Sequence, residues 1–150
     1  MRSLIICGVL LALAGCAGMP SGDLLEVQRQ ANAAYNEGDY AASTRGYRAL
    51  VKELPQDAEV RYRLGNSLAK QGDVEGAMQA YREAVVRDSK HAKAWHNLIY
   101  LQLQGVGHTV AEMYLHINRD DPRVAPVAQK AEAVMQAFDV PLQPLDRQEP

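Results

Sequence analysis

Residues 58–91, AEVRYRLGNSLAKQGDVEGAMQAYREAVVRDSKH, read as two helices joined at Gly72-Asp73. Working outward from this block, residues 24–57 and 92–125 fall beneath it at a period of 34 with no insertion. Gly38-Asp39 aligns with Gly72-Asp73, Tyr47 with Tyr81 and Leu115, Ser43 with Ala77 and Ala111, and Ala31 with Gly65 and Ile99. Small residues at fixed places let two helices approach closely. The recurring large residue fills the space between successive pairs. Glycine permits the positive φ that ends a helix before a tight turn. The aspartate after it is suited to cap the next helix.

The spacing predicts first helices at about 24–37, 58–71 and 92–104 and second helices at about 40–53, 74–87 and 109–118. In the third block the expected turn is Gly105-Val106-Gly107, after which Thr109 and Glu112 form a capping box. Asp120-Asp121-Pro122 then stops that helix and starts another, with Pro122 in the first turn. This last helix, about 122–138, carries Val124, Val127, Ala128, Ala131, Val134, Met135 and Phe138 on one stripe. Such a stripe suits a cap over the exposed end of a helix stack.

The motif set Leu64-Gly65, Gly72, Ala77, Tyr81 and Ala84 resembles the tetratricopeptide repeat, a helix–turn–helix unit of this length. Trp95 and Leu98 stand at that family's Trp and Leu positions, whereas Val27 replaces the Trp in the first block. The resemblance implies an all-α fold: a right-handed superhelix of antiparallel helix pairs, with three repeats (24–57, 58–91, 92–125) and a capping helix within a domain at 24–138. Residues 139–150, rich in proline and polar side chains, are expected to form a flexible tail.

Ahead of the repeats, Met1-Arg2 gives a positive start, Leu4–Leu13 an apolar run, and Ala14-Gly15 two small residues before Cys16. These are the parts of an export signal, and the run is too short to span a bilayer. Leu13-Ala14-Gly15-Cys16 resembles the lipobox of bacterial lipoproteins. That resemblance implies cleavage after residue 15, a diacylglycerol-bearing Cys16, and a tether at 16–23. With Ala17 after the cysteine, it further implies an outer-membrane protein facing the periplasm. No cofactor is expected beyond the covalent lipid.

The chain has 16 Lys and Arg against 18 Asp and Glu, with no basic run, so nucleic acid is not expected as a partner. Both cysteines, Cys7 and Cys16, lie in the signal, so the rest of the chain must hold by packing. His91 and His96 are five apart and do not share a helix face, and His108 occupies the repeat position of Tyr40 and Val74, where packing is expected, so no metal site is expected. No nucleophile elbow or phosphate loop is present. An enzyme or a small-molecule substrate is therefore not expected.

In the repeat family the first helices line a concave groove that takes a peptide or a partner helix. By alignment the first block offers Gln28, Asn32, Tyr35 and Asn36, the second Tyr62, Arg63, Asn66 and Lys70, and the third Lys93, His96, Asn97 and Tyr100. Amides can pair with a peptide backbone, and tyrosines supply flat area with a polar tip. Asn32 and Lys93 match the positions at which some members clamp a peptide carboxylate, while Gln28, Arg63 and Asn97 depart from them. The implied role is a membrane-anchored adaptor for a protein partner, similar to the pilotins and accessory lipoproteins of type IV and Tad-type pili and secretion systems. The alternative is a scaffold for peptidoglycan-modifying enzymes or polysaccharide export.

Overall fold

The computed structural model describes residues 21–140, all of whose regular elements are helices. They are α1 (Ser21–Asn36), α2 (Tyr40–Glu53), α3 (Ala58–Lys70), α4 (Val74–Arg87), α5 (Ala92–His116) and α6 (Ala125–Ala137). Each packs against the next, giving a helical-repeat superhelix. The export signal, Cys16 and most of the tail lie outside the described residues. The expected limits of the domain shift at both ends: α1 starts at Ser21, inside the anticipated tether, and Asp139 and Val140 belong to the closure of α6.

The first two pairs follow the repeat. Gly38 and Gly72 both take φ 83°, and Asp39 and Asp73 follow as caps, accepting from the Ala42 and Gly76 amides at 2.9 and 3.0 Å. Between pairs the caps are Asp57, accepting from Val60 N at 3.0 Å, and His91, whose Nδ1 accepts from Ala94 N at 3.2 Å. Asp57 and His91 are also one repeat apart, so a ring nitrogen takes over the work of a carboxylate oxygen.

Burial follows helical spacing. In α2, Ser43, Tyr47 and Leu50 point inward, and in α4, Ala77, Tyr81 and Ala84 do. Burying a side chain such as Leu50 stabilises by about 1.5–3 kcal/mol. One core groups Ala31, Tyr47, Leu50 and Val60; another groups Leu68, Ala77, Tyr81, Ala84, Leu98 and others, and Leu64 touches both. The small residues set the approach. A Cβ on Gly46 would lie 2.7 Å from Ala31 Cβ, and one on Gly65 would lie 2.5 Å from the Tyr81 ring.

The third block departs from the expected hairpin. α5 runs unbroken through Gly105-Val106-Gly107 for 25 residues, so the second helix expected at 109–118 is its continuation. Thr109 is no cap; its hydroxyl donates to Gly105 O within the helix. The reason lies in the repeat register. Val106 stands where Gly38 and Gly72 stand, and a β-branched residue resists positive φ. Gly107 stands where the capping aspartates stand and offers no side-chain acceptor. His108, expected to pack, is exposed.

α6 also starts later than expected. Residues 117–124 connect it to α5, and Pro126 rather than Pro122 sits in its first turn. Val124, Ala128 and Met135 are buried, but Val127, Val134 and Phe138 are exposed, so the anticipated capping stripe is only partly covered. The helix closes with Asp139 at φ 53° and Val140 N donating to Met135 O, a reversal that buries Val140.

Candidate functional site: a groove across α1, α3 and α5

Because each helix pair repeats, α1, α3 and α5 present equivalent faces on one side. Between them lies an open groove of about 450 Å³. Tyr35 lines it from α1, Asn66, Ala69 and Lys70 from α3, and Asn97, Tyr100, Leu101 and Gln104 from α5, with Tyr81 in the floor. Five of the twelve expected residues thus meet here: Tyr35, Asn66, Lys70, Asn97 and Tyr100. Lys70 is the one charged residue among these lining groups, so the groove is mildly cationic, amide-rich and aromatic.

The floor is built from a hydrogen-bonded set that recurs with the repeat. Tyr47 donates to Asn32 Oδ1 at 2.5 Å, and Arg63 Nη1 donates to the same oxygen at 3.2 Å. One repeat later Tyr81 donates to Asn66 Oδ1 at 2.8 Å, and Asn97 Nδ2 donates to it at 3.0 Å. Asn97 Nδ2 is also 3.2 Å from the Tyr81 hydroxyl. Burial pushes the Tyr47 phenol up and the Tyr81 phenol up to about 12, so both stay protonated donors at neutral pH. The alignment offers Asn32 and Asn66 as groove residues open to a partner. Instead their oxygens tie first helices to second helices. Among the described residues, neither amide nitrogen is used in a hydrogen bond.

The other expected residues disperse. Tyr62 is half-buried, its ring 6.0 Å from that of Tyr81 and 4.9 Å from that of His91. Arg63 Nε lies 2.7 Å from Glu59 Oε1, without hydrogen-bond alignment, and so bridges Glu59 and Asn32. Lys93 belongs to a second hollow of about 550 Å³ at the N-terminal ends of α3 and α5, with Asp57, Glu59, Asp88 and His91. There His91 Nε2 is 3.1 Å from Glu59 Oε2. Gln28, Asn36 and His96 line neither hollow. Lys93 lines the second hollow and Asn32 lines neither, so the two residues at clamp-matching positions do not meet in one hollow.

Four lining residues lie outside the aligned set: Ala69, Tyr81, Leu101 and Gln104. Leu101 and Gln104 follow Asn97 by four and seven positions, a helical spacing that could have flagged them. Tyr81 was read as filling only; its hydroxyl reaches the floor because Gly65 lets the ring lie close to α3. Among the described residues no cluster of three or more His, Cys, Asp or Glu is arranged to hold a metal ion.

Comparisons with known proteins agree with the repeat geometry. Residues 29–94 match the family model described as tetratricopeptide repeat. A tetratricopeptide repeat-containing protein of Halalkalibacterium halodurans is 44% identical over 46 residues, which is 31% of this chain and 21% of the relative. The chain therefore covers about a fifth of that curated relative's length. The matched segment runs from the middle of α1 to the start of α5.

Proposed function

We propose that this chain is a membrane-anchored adaptor that holds an extended segment of a protein partner in the α1/α3/α5 groove. The observation that carries this reading is the paired layout of Tyr35, Lys70, Tyr100 and Gln104 above a floor of fixed amides. Tyrosines offer flat contact area, while Lys70 and the amides select a polar, carbonyl-rich or acidic segment. The sequence of residues 1–16 supports attachment through a lipid on Cys16 and a periplasm-facing position at the outer membrane. In that setting the role is assembly of a pilus or secretion apparatus, where an anchored adaptor keeps a subunit near its site of insertion.

The test is capture of partner from detergent-solubilised membranes by wild type and by Tyr35→Ala, Tyr100→Ala and Gln104→Ala. Each groove change should weaken capture by about 1–2 kcal/mol. Arg45→Ala and Gln79→Ala, on the second helices of their pairs, should leave it unchanged. Circular dichroism checks folding. Equal capture by groove and control variants would sink the reading.

A further inference from the structure

The third repeat lacks its second helix, and the face that helix would cover is open. In the first pair Ala31 is sealed by Gly46 of α2, and in the second Gly65 is sealed by Tyr81 of α4. Ile99 holds the same repeat position on α5, and no helix covers it. Trp95, Ile99 and Val106 form a stripe on this face, four and seven residues apart, and each is 38–43% exposed. Between Lys93 and Glu112, α5 carries no Asp, Glu, Lys or Arg. A surface so depleted of charge matches the centre of an interface rather than a solvated face.

The same molecule displays the complement. α6 leaves Val127, Val134 and Phe138 47–60% exposed beside its buried face. Their spacing is seven then four, the reverse of the α5 stripe. Laid antiparallel, Phe138 falls on Trp95, Val134 on Ile99 and Val127 on Val106 in one register. Antiparallel is also how the second helix of each earlier pair lies on its first.

We propose that a second copy of this chain completes the third repeat: α6 of each copy lies antiparallel on the Trp95–Ile99–Val106 stripe of the other. The exchange is reciprocal and closes as a two-fold dimer, the commonest closed symmetry. The six side chains bring about 600 Å² per copy, about 1,200 Å² in all, which reaches the size of a specific interface. Lys130 and Glu132 are the charged residues within α6, so like-charge repulsion across the contact is small.

The test uses the full chain in density-matched detergent, with sedimentation equilibrium and the fluorescence of Trp95, the single tryptophan. Wild type should sediment at twice the mass of its own processed monomer, fixed beforehand by mass spectrometry, with Trp95 emission shifted to the blue relative to diluted protein. Ile99→Lys and Val134→Glu should each give monomers with unchanged helix content, since both side chains already face solvent. Mixed in equal amounts, the two variants should recover the dimer, because the new cation of one copy meets the new carboxylate of the other. A monomeric wild type overturns the proposal and leaves the stripe to residues 141–150 or to another protein. Dimers that persist in both variants, or a mixture that stays monomeric, overturn it as well. Should a variant fail to fold, the wild-type mass and its Trp95 shift still decide.

Discussion

The Tyr81 hydroxyl donates to Asn66 Oδ1 at 2.8 Å, and thirty-four residues earlier Tyr47 makes the same bond to Asn32. The bond joins the second helix of a pair to the first at the level of the groove floor. It couples the stability of the stack to the shape of the groove.

Tyr81 should therefore act as an alkaline latch. Its phenol is pushed up to about 12 by burial, against an ordinary value of 10. The folded state holds the proton more tightly than the unfolded state, so this stability is complete below the ordinary value and is lost as pH rises towards 12. Thermal unfolding followed between pH 9 and 12 should show a steep fall, with a shallower one in Tyr81→Phe. At neutral pH Tyr81→Phe should cost about 1 kcal/mol, the usual net worth of such a bond. A pH profile identical in both proteins would contradict the latch.

Glycines at two kinds of site should respond with opposite sign. Gly72 sits at φ 83°, where an added Cβ is strained, so Gly72→Ala should destabilise by about 1–2 kcal/mol. Gly105 lies inside α5 with open space around it, so Gly105→Ala should stabilise by about 0.5–1 kcal/mol. Urea unfolding midpoints of the two variants would check the sign. A destabilising Gly105→Ala would mean that the chain bends there after all.

The same comparison shows where the sequence was legible. The first four helices could be placed to within a few residues because Gly38-Asp39 and Gly72-Asp73 combine a positive-φ residue with a cap. In the third block two glycines suggested a turn, yet neither stood in register: Val106 occupies the glycine position and Gly107 the cap position. Composition pointed to a break, and register decided for a continuous helix. The groove was legible at residues set by the repeat, such as Tyr35, Asn66 and Tyr100. The engagement of Asn32 and Asn66 was not, because it depends on Tyr47 and Tyr81 reaching across from other helices. Nor did the stripe on α6 reveal that half of it stays open, since spacing marks an apolar sector but not the width of its neighbour.

Cys16 carries the expectation of a lipid anchor. Cys16→Ser should abolish fatty-acid incorporation and leave a precursor longer by the uncleaved signal. Metabolic labelling with a fatty acid, followed by gel mobility, reads both. Label that persists in the variant would contradict acylation at this residue.

Arg61 offers a test of how the stack tolerates buried charge. It is 4% exposed, its Nε donates to Glu83 Oε2 at 3.0 Å, and its Nη1 is buried without a partner. Its counterparts in the repeat are Val27 and Trp95, both apolar, so the position itself does not require a cation. A guanidinium there is held mainly by Glu83, whose carboxyl is pulled below its ordinary value by Gln79 and then by Arg61 itself. Removing one partner of such a pair leaves the other charge stranded, whereas an apolar side chain of similar volume removes the desolvation penalty altogether. Glu83→Ala should therefore cost about 1–3 kcal/mol, short of the value for a fully buried pair because Glu83 is partly solvated. Arg61→Met should fall within about 1 kcal/mol of wild type, on either side. The order of the two is the decisive outcome, read from denaturant midpoints at neutral pH. If Arg61→Met proves the more damaging, the ion pair contributes more than burial of its charge removes, and the α3–α4 contact depends on it.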